Sequence, residues 1–224
     1  LPSQTAAWLP EYQVYNFGGI GYGPQQMLAL LESGELQNQI AQPGGKAVYV
    51  FIADHIARAL GTMRTTVRWT SHFPCYTYEE PGVAVRHGNF DTARPGLLRF
   101  YRLLNLSGTV RYTKIDFPLT RTDEDYALVA AMMRQSKDWL AKHYQLDRFV
   151  VVLYPTNPEE RSVVEQFRRA TVATGVEVLD YRNLFDPDDP RYRIDVNSDI
   201  HPTPRAYAEL AANLARDLEH ARDE

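Results

Sequence analysis

The stretch KAVYVFIADH, residues 46–55, decides the fold class. From Lys46 to Ala53 its side chains are apolar on both faces, the pattern of a strand in a parallel sheet that helices cover on each side. It follows Pro43, Gly44 and Gly45 and ends at Asp54 and His55. The same pattern recurs further along the chain, at Asp147 to Tyr154 and again at Val176 to Tyr181, and Gln13 to Phe17 is a shorter candidate near the N-terminus. Helical segments separate these strands. Pro24 fits a first helical position ahead of Met27, Leu30 and Leu31, and a helix from about Asp123 to Tyr144 precedes the Asp147 strand. Asn157, Pro158 and Glu160 read as a cap, a first-turn proline and a third-position glutamate, with Val163, Val164 and Phe167 inward and Gly175 past the end. Thr203 and Pro204 open a last helix with Tyr207, Leu210, Leu214 and Leu218 along one face. Strand alternating with helix, with two-sided apolar strands, predicts an α/β fold built on an open, mainly parallel sheet.

Composition sets outer limits. The chain has 224 residues, 24 Lys+Arg and 28 Asp+Glu, for a net charge of −4, and 44% hydrophobic with 23% charged residues. Such a chain buries a core and lacks the clustered positive charge of a nucleic-acid binder. Its length predicts a single domain over 1–224. Residues 56–121 break the rhythm with aromatic and β-branched fragments, at 65–70, 83–86 and 109–117, around a short helix from Leu97 to Leu106; they read as an insertion or cap near the strand ends. No run approaches the roughly 18 to 20 apolar residues of a membrane span. The lone Cys75 has no partner for a disulfide and no metal-binding spacing around it. The chain starts at Leu1, which leads to the expectation that a segment upstream, a signal or anchor among the possibilities, was removed; a secreted or periplasmic location would follow from that.

In open α/β sheets, functional groups gather beyond the carboxyl ends of the strands. Three segments qualify. The glycine turn NFGGIGYG, residues 16–23, is a structural tight turn or a place where a backbone N–H, at Gly21 or nearby, points into a cleft. It lacks the Lys-Ser/Thr of a phosphate loop. Asp54 and His55 end the 46–53 strand, where a histidine is as readily a satisfied polar residue as a functional one. Asp199 and His201, two apart before the last helix, suit a carboxylate that holds the imidazole Nδ1–H so that Nε2 acts as a general base.

Taken together, NFGGIGYGPQQML, VYVFIADH and above all DIHPTPRAYAELA resemble the SGNH, or GDSL-like, hydrolase superfamily. The resemblance covers most of the sheet-forming chain but not residues 56–121. It implies a flavodoxin-like, three-layer α/β/α sandwich and ester hydrolysis without a cofactor or metal. A serine nucleophile, a glycine N–H, an asparagine side chain and an Asp/His pair cooperate in that family. By position, Gly21 is the oxyanion glycine, His201 the base and Asp199 its orienter, while His55 stands near the place of the asparagine, with Asp54 as the alternative. The Gly-Asp-Ser block is absent: Ser3, Ser33, Ser71, Ser107, Ser136, Ser162 and Ser198 all lie outside a strand-to-helix nucleophile turn. The expectation is that the nucleophile and its strand lie upstream of Leu1.

The leading reading is therefore a serine esterase of acyl or acetyl esters on a small molecule or carbohydrate. The alternatives are a polysaccharide O-acetyltransferase and an inactive SGNH-like binding module. Trp69, Tyr76, Tyr78, Phe90 and Tyr101 offer rings for sugar stacking, although core packing is the commoner use of such residues. Nothing in the sequence fixes the oligomeric state.

Overall fold

The computed structural model describes residues 1–40, 42–79, 82–195 and 199–219, the side chains of Asn38, Asp199 and Ile200 excepted. The strands in chain order are β1 Lys46–Phe51, β2 Pro74–Tyr78, β3 Ala84–Asn89, β4 Arg148–Leu153, β5 Glu177–Asp180, β6 Arg193–Asp195 and β7 Asp199–Pro202. The helices are α1 Pro2–Trp8, α2 Pro24–Ser33, α3 Asp54–Leu60, α4 Met63–Thr65, α5 Phe90–Ala93, α6 Pro95–Leu106, α7 Gly108–Thr113, α8 Asp123–Tyr144, α9 Arg161–Ala173 and α10 Pro204–Glu219. The fold is α/β. Its main sheet is parallel, in the order β1-β4-β5, with β1 in register from Lys46 opposite Arg148 to Phe51 opposite Leu153.

Strand alternation sends β4 side chains to two separate cores. Phe149, Val151 and Leu153 join Phe51 against Leu28 of α2, Ile56 of α3, Met132 and Met133 of α8, and Phe167 of α9. Val150 and Val152 face the other way, toward Leu9 and toward Leu210, Leu214 and Leu218 of α10. The central strand is thus buried from Phe149 to Leu153, as two-sided apolarity requires. β1 is less covered. Val48 is 37% exposed, and among the described residues no strand pairs with the edge of β1 that faces away from β4.

Helix α8 spans Asp123–Tyr144, the range that the sequence pattern predicts, because Thr122 and Asp125 close its N-terminus reciprocally. The Asp125 N–H donates to Thr122 Oγ1 at 3.3 Å, and the Thr122 N–H donates to Asp125 Oδ2 at 2.7 Å. Residues 56–121 fold as helices and the antiparallel β2-β3 hairpin. Met63, Cys75, Phe90, Leu98 and Tyr101 form a small core of their own there, while Ile56, Ala59, Tyr76 and Ala84 belong to the main one.

Two local expectations, the strand at Gln13 to Phe17 and the Asn157 cap, fail, and two β-branched fragments are helical. Gln13 to Phe17 is not a strand: no residue of it is buried, and Tyr15 and Phe17 stack on each other instead of on a core. The β-branched 65–70 fragment is helical, because Thr62, Thr66 and Thr70, spaced by four, bury one face and tertiary packing overrides β-propensity. Most of the 109–117 fragment is likewise helical, residues up to Thr113 forming α7. Asn157 caps nothing with its side chain; Pro158–Glu160 is a single tight turn, and α9 starts at Arg161.

Candidate functional site

The glycine turn is held by its own polar atoms. Gly18 N–H donates to Asn16 Oδ1 at 3.1 Å, Tyr22 N–H to the Gly19 carbonyl at 3.1 Å, and Gly23 N–H to Gln26 Oε1 at 2.9 Å. Gly21 sits at φ +74°, in the left-handed region that glycine adopts freely. A Cβ there would lie 2.0 Å from Cζ3 of Trp69, so the indole ring lies directly over the bare α-carbon. Trp69 is itself 39% exposed, which leaves part of its surface facing solvent beside the turn.

Arg58 joins this turn to the end of β1. Its Nη1 donates to the Tyr22 carbonyl at 3.0 Å, its Nε donates to Asp54 Oδ2 at 2.8 Å, and its guanidinium stands 5.4 Å from the centre of the Trp69 ring. Asp54 and Arg58 are four apart on α3, so the pairing follows from helix geometry. The spacing was visible in the sequence, but the guanidinium's second role on the glycine turn was not.

Asp54 and His55 are consecutive in the first turn of α3 and therefore point in directions about 100° apart. Asp54 turns to the surface. His55 turns inward, 9% exposed, with Nδ1 2.8 Å from the Tyr49 hydroxyl and its ring against the edge of Phe51. Burial, with a smaller push from Arg58, lowers its pKa to about 3. The imidazole is neutral at physiological pH.

This burial has a measurable consequence. Above about pH 6.5 His55 is neutral in both the folded and unfolded chain and adds no slope to stability. Between about 6.5 and 3 the unfolded chain takes up a proton that the folded chain refuses, so this residue lowers stability by roughly 1.4 kcal/mol for each pH unit of acidification. Urea unfolding of the native chain and of His55→Gln at pH 7, 6 and 5 checks this. The native chain should lose roughly 2 kcal/mol more than the variant between pH 7 and 5; parallel losses would place His55 in a solvated setting.

His201 lies in β7, which pairs antiparallel with β6 and places Arg193 opposite Pro202. The DIHP segment is thus one strand of a hairpin and not the loop that its prolines suggest. The hairpin is pinned to the loop before it. Thr203 Oγ1 donates to the Arg191 carbonyl at 2.8 Å, and Thr203 N–H donates to the Tyr192 carbonyl at 3.0 Å. The Thr203 hydroxyl also accepts from Ala206 N–H at 3.3 Å, capping α10. Tyr192 stacks on Phe185 at 4.4 Å between ring centres, with Arg191 and Arg205 near its faces. His201 is exposed. Position 199 is two residues back in the same strand, and the Asp199 side chain lies outside the described residues.

Glu160 ends the turn between β4 and α9. Partial burial of its carboxyl raises its pKa, the Asp54 carboxylate adds to the rise, and Arg193 opposes it. Glu160 thus feels both the Asp54 carboxylate and the Arg193 guanidinium. The glycine turn, Trp69, Arg58 and Asp54 form one connected group past the carboxyl end of β1. The β6-β7 hairpin lies toward the same end of the sheet, since α10 runs from it to Leu218, whose carbonyl accepts from Lys46 at the start of β1. The His55 ring points into the core.

Of the other residues singled out by type, Tyr76, Phe90 and Tyr101 are buried core residues. Cys75 is buried too, and burial pushes its thiol up, against a smaller opposing effect of Arg94. Of the serines, Ser136 is buried in α8 and Ser107 accepts from Val110 N–H at the start of α7; Ser198 lies outside the described residues. Among the described residues no three His, Cys, Asp or Glu side chains are placed to hold a metal ion. No known family, curated protein or solved structure matches this chain.

Proposed function

We propose that this chain is the body of an SGNH-type serine esterase with a flavodoxin-like α/β/α sandwich, acting on acyl or acetyl esters of a carbohydrate. The reading is supported by the position of the Gly21 turn and of the His201 hairpin, both toward the carboxyl ends of one parallel sheet, where ligands of open α/β folds bind. The half-exposed Trp69 beside Gly21 favours a sugar, since a pyranose ring stacks on an aromatic face.

The nucleophile in this reading is a serine on a strand preceding Leu1, which adds to the open edge of β1. Its Oγ attacks the ester carbonyl carbon as His201 Nε2 takes the hydroxyl proton, and Asp199 holds the imidazole through Nδ1–H. The Gly21 N–H stabilises the oxyanion as charge develops. When the tetrahedral species collapses, His201 returns the proton to the departing alcohol oxygen. Water then repeats the attack on the acyl-serine and releases the acid. His55, buried with its ring against Phe51 and its Nδ1 beside the Tyr49 hydroxyl, has no part in this scheme.

The test is hydrolysis of p-nitrophenyl acetate. Residues 1–224 alone should not exceed buffer, because base and oxyanion groups cannot supply an aligned attacking oxygen. The same chain extended upstream through its Gly-Asp-Ser should turn over, and Ser→Ala in that block should abolish the activity. An upstream sequence without Gly-Asp-Ser would give the binding-module reading precedence.

A further inference from the structure

Helix α6 has two apolar faces. Leu98 and Tyr101 are buried in the small core of residues 63–101. On the opposite side Phe100, Leu103 and Leu106, spaced by three, are 48%, 65% and 74% exposed. A surface helix normally carries one apolar stripe, and the second here has no cover. Helix α7 packs beside α6, and its Tyr112 is 89% exposed. Single exposed apolar residues are ordinary, but a continuous ridge of them marks a contact surface.

The charge on this ridge identifies its occupant. Between residues 92 and 115 the chain carries Arg94, Arg99, Arg102, Arg111 and Lys114 and no carboxylate, in a protein of net charge −4. Arg99, Arg102, Arg111 and Lys114 are exposed, and none has an ion-pair partner among the described residues. Asp116, the next acid along, is engaged with the Arg64 and Phe117 N–H groups. Arg99 projects from the middle of the apolar stripe, between the directions of Leu103 and Leu106. A protein partner would have to bury that guanidinium against a matching carboxylate. At a bilayer surface its stem lies along the acyl boundary while the head meets phosphate oxygens.

We propose that the α6-α7 ridge is a monotopic membrane-contact surface that seats this protein on anionic phospholipid, with Phe100, Leu103, Leu106 and Tyr112 entering the interface. This is attachment in the plane of the membrane; no described helix is long and apolar enough to cross it. Each cation held near an anionic surface strengthens binding by about fivefold, and each leucine side chain that leaves water by about tenfold or more.

Cosedimentation with vesicles tests this independently of any hydrolysis. The full chain should pellet with phosphatidylcholine vesicles containing a quarter phosphatidylglycerol, much less with phosphatidylcholine alone, and less again in 0.5 M salt. Leu103→Ser with Leu106→Ser should lower partitioning by about tenfold or more, and Arg99→Glu with Arg102→Glu should remove the preference for anionic vesicles. These side chains are exposed, and unchanged far-UV circular dichroism certifies that each variant folds. Absence of native binding to anionic vesicles, or binding that neither pair of substitutions weakens, overturns the proposal. Self-association that Leu103→Ser abolishes, without vesicle binding, overturns it in favour of a protein interface.

Discussion

Replacing His201 by Ala in the upstream-extended chain lowers kcat for p-nitrophenyl acetate by about 10³-fold or more, with KM little changed. The proton of the attacking hydroxyl has to leave as the carbon–oxygen bond forms, and His201 is the exposed imidazole past the carboxyl edge of the sheet. The hydrogen bonds of Thr203 to the Arg191 and Tyr192 carbonyls fix the hairpin that carries it, so truncating an exposed ring should leave the fold intact. Unchanged Tm alongside lost turnover is the expected combination. Undiminished turnover removes His201 from the mechanism, and the proposed esterase chemistry with it.

Gly21→Ala should be nearly as damaging, through two separable causes. An alanine at φ +74° costs about 1 kcal/mol of backbone strain. Its methyl group would also collide with Trp69, so either the ring or the turn must move. Displacing the Gly21 N–H from the developing oxyanion should reduce kcat by about 10²-fold, the usual effect of losing one oxyanion donor. Trp69→Ala removes the collision but not the strain. The double variant Gly21→Ala with Trp69→Ala should therefore recover part of kcat relative to Gly21→Ala alone, a coupling that a double-mutant cycle reads directly. If Gly21→Ala keeps full kcat, that N–H does not face the reacting carbonyl.

The elements legible in the sequence are those whose pattern a single physical demand dictates. β4 is buried on both faces and reads as an unbroken apolar run. Helix α10 shows its buried Leu210, Leu214 and Leu218 at helical spacing, and α8 carries both its cap and its core face in sequence. The segments that local sequence does not settle are those where distant contacts choose among local options. Gln13 to Phe17 has strand-like residues but no ladder partner, and Thr62, Thr66 and Thr70 are β-branched yet bury a helical face. The site divides in the same way. The candidates Gly21, Asp54 and His201 stand in local signals, a glycine turn, a strand end and an Asp-x-His spacing. Arg58 is not legible in the sequence because its contacts are with the Tyr22 carbonyl and the Trp69 ring, 36 residues before it and 11 after. His55 and Asp54 were interchangeable as neighbours in sequence; one helical step sends one to the core and the other to the surface.

The central proposal, a serine esterase assembled on the carboxyl edge of this sheet, is tested most directly by fluorophosphonate labelling of the extended chain, read by intact mass and peptide mapping. One adduct per chain should form, on the serine of the Gly-Asp-Ser block, and labelling should slow by orders of magnitude in His201→Ala, since the same base activates that serine. No adduct on a well-folded extended chain, or an adduct at the same rate with and without His201, would contradict it.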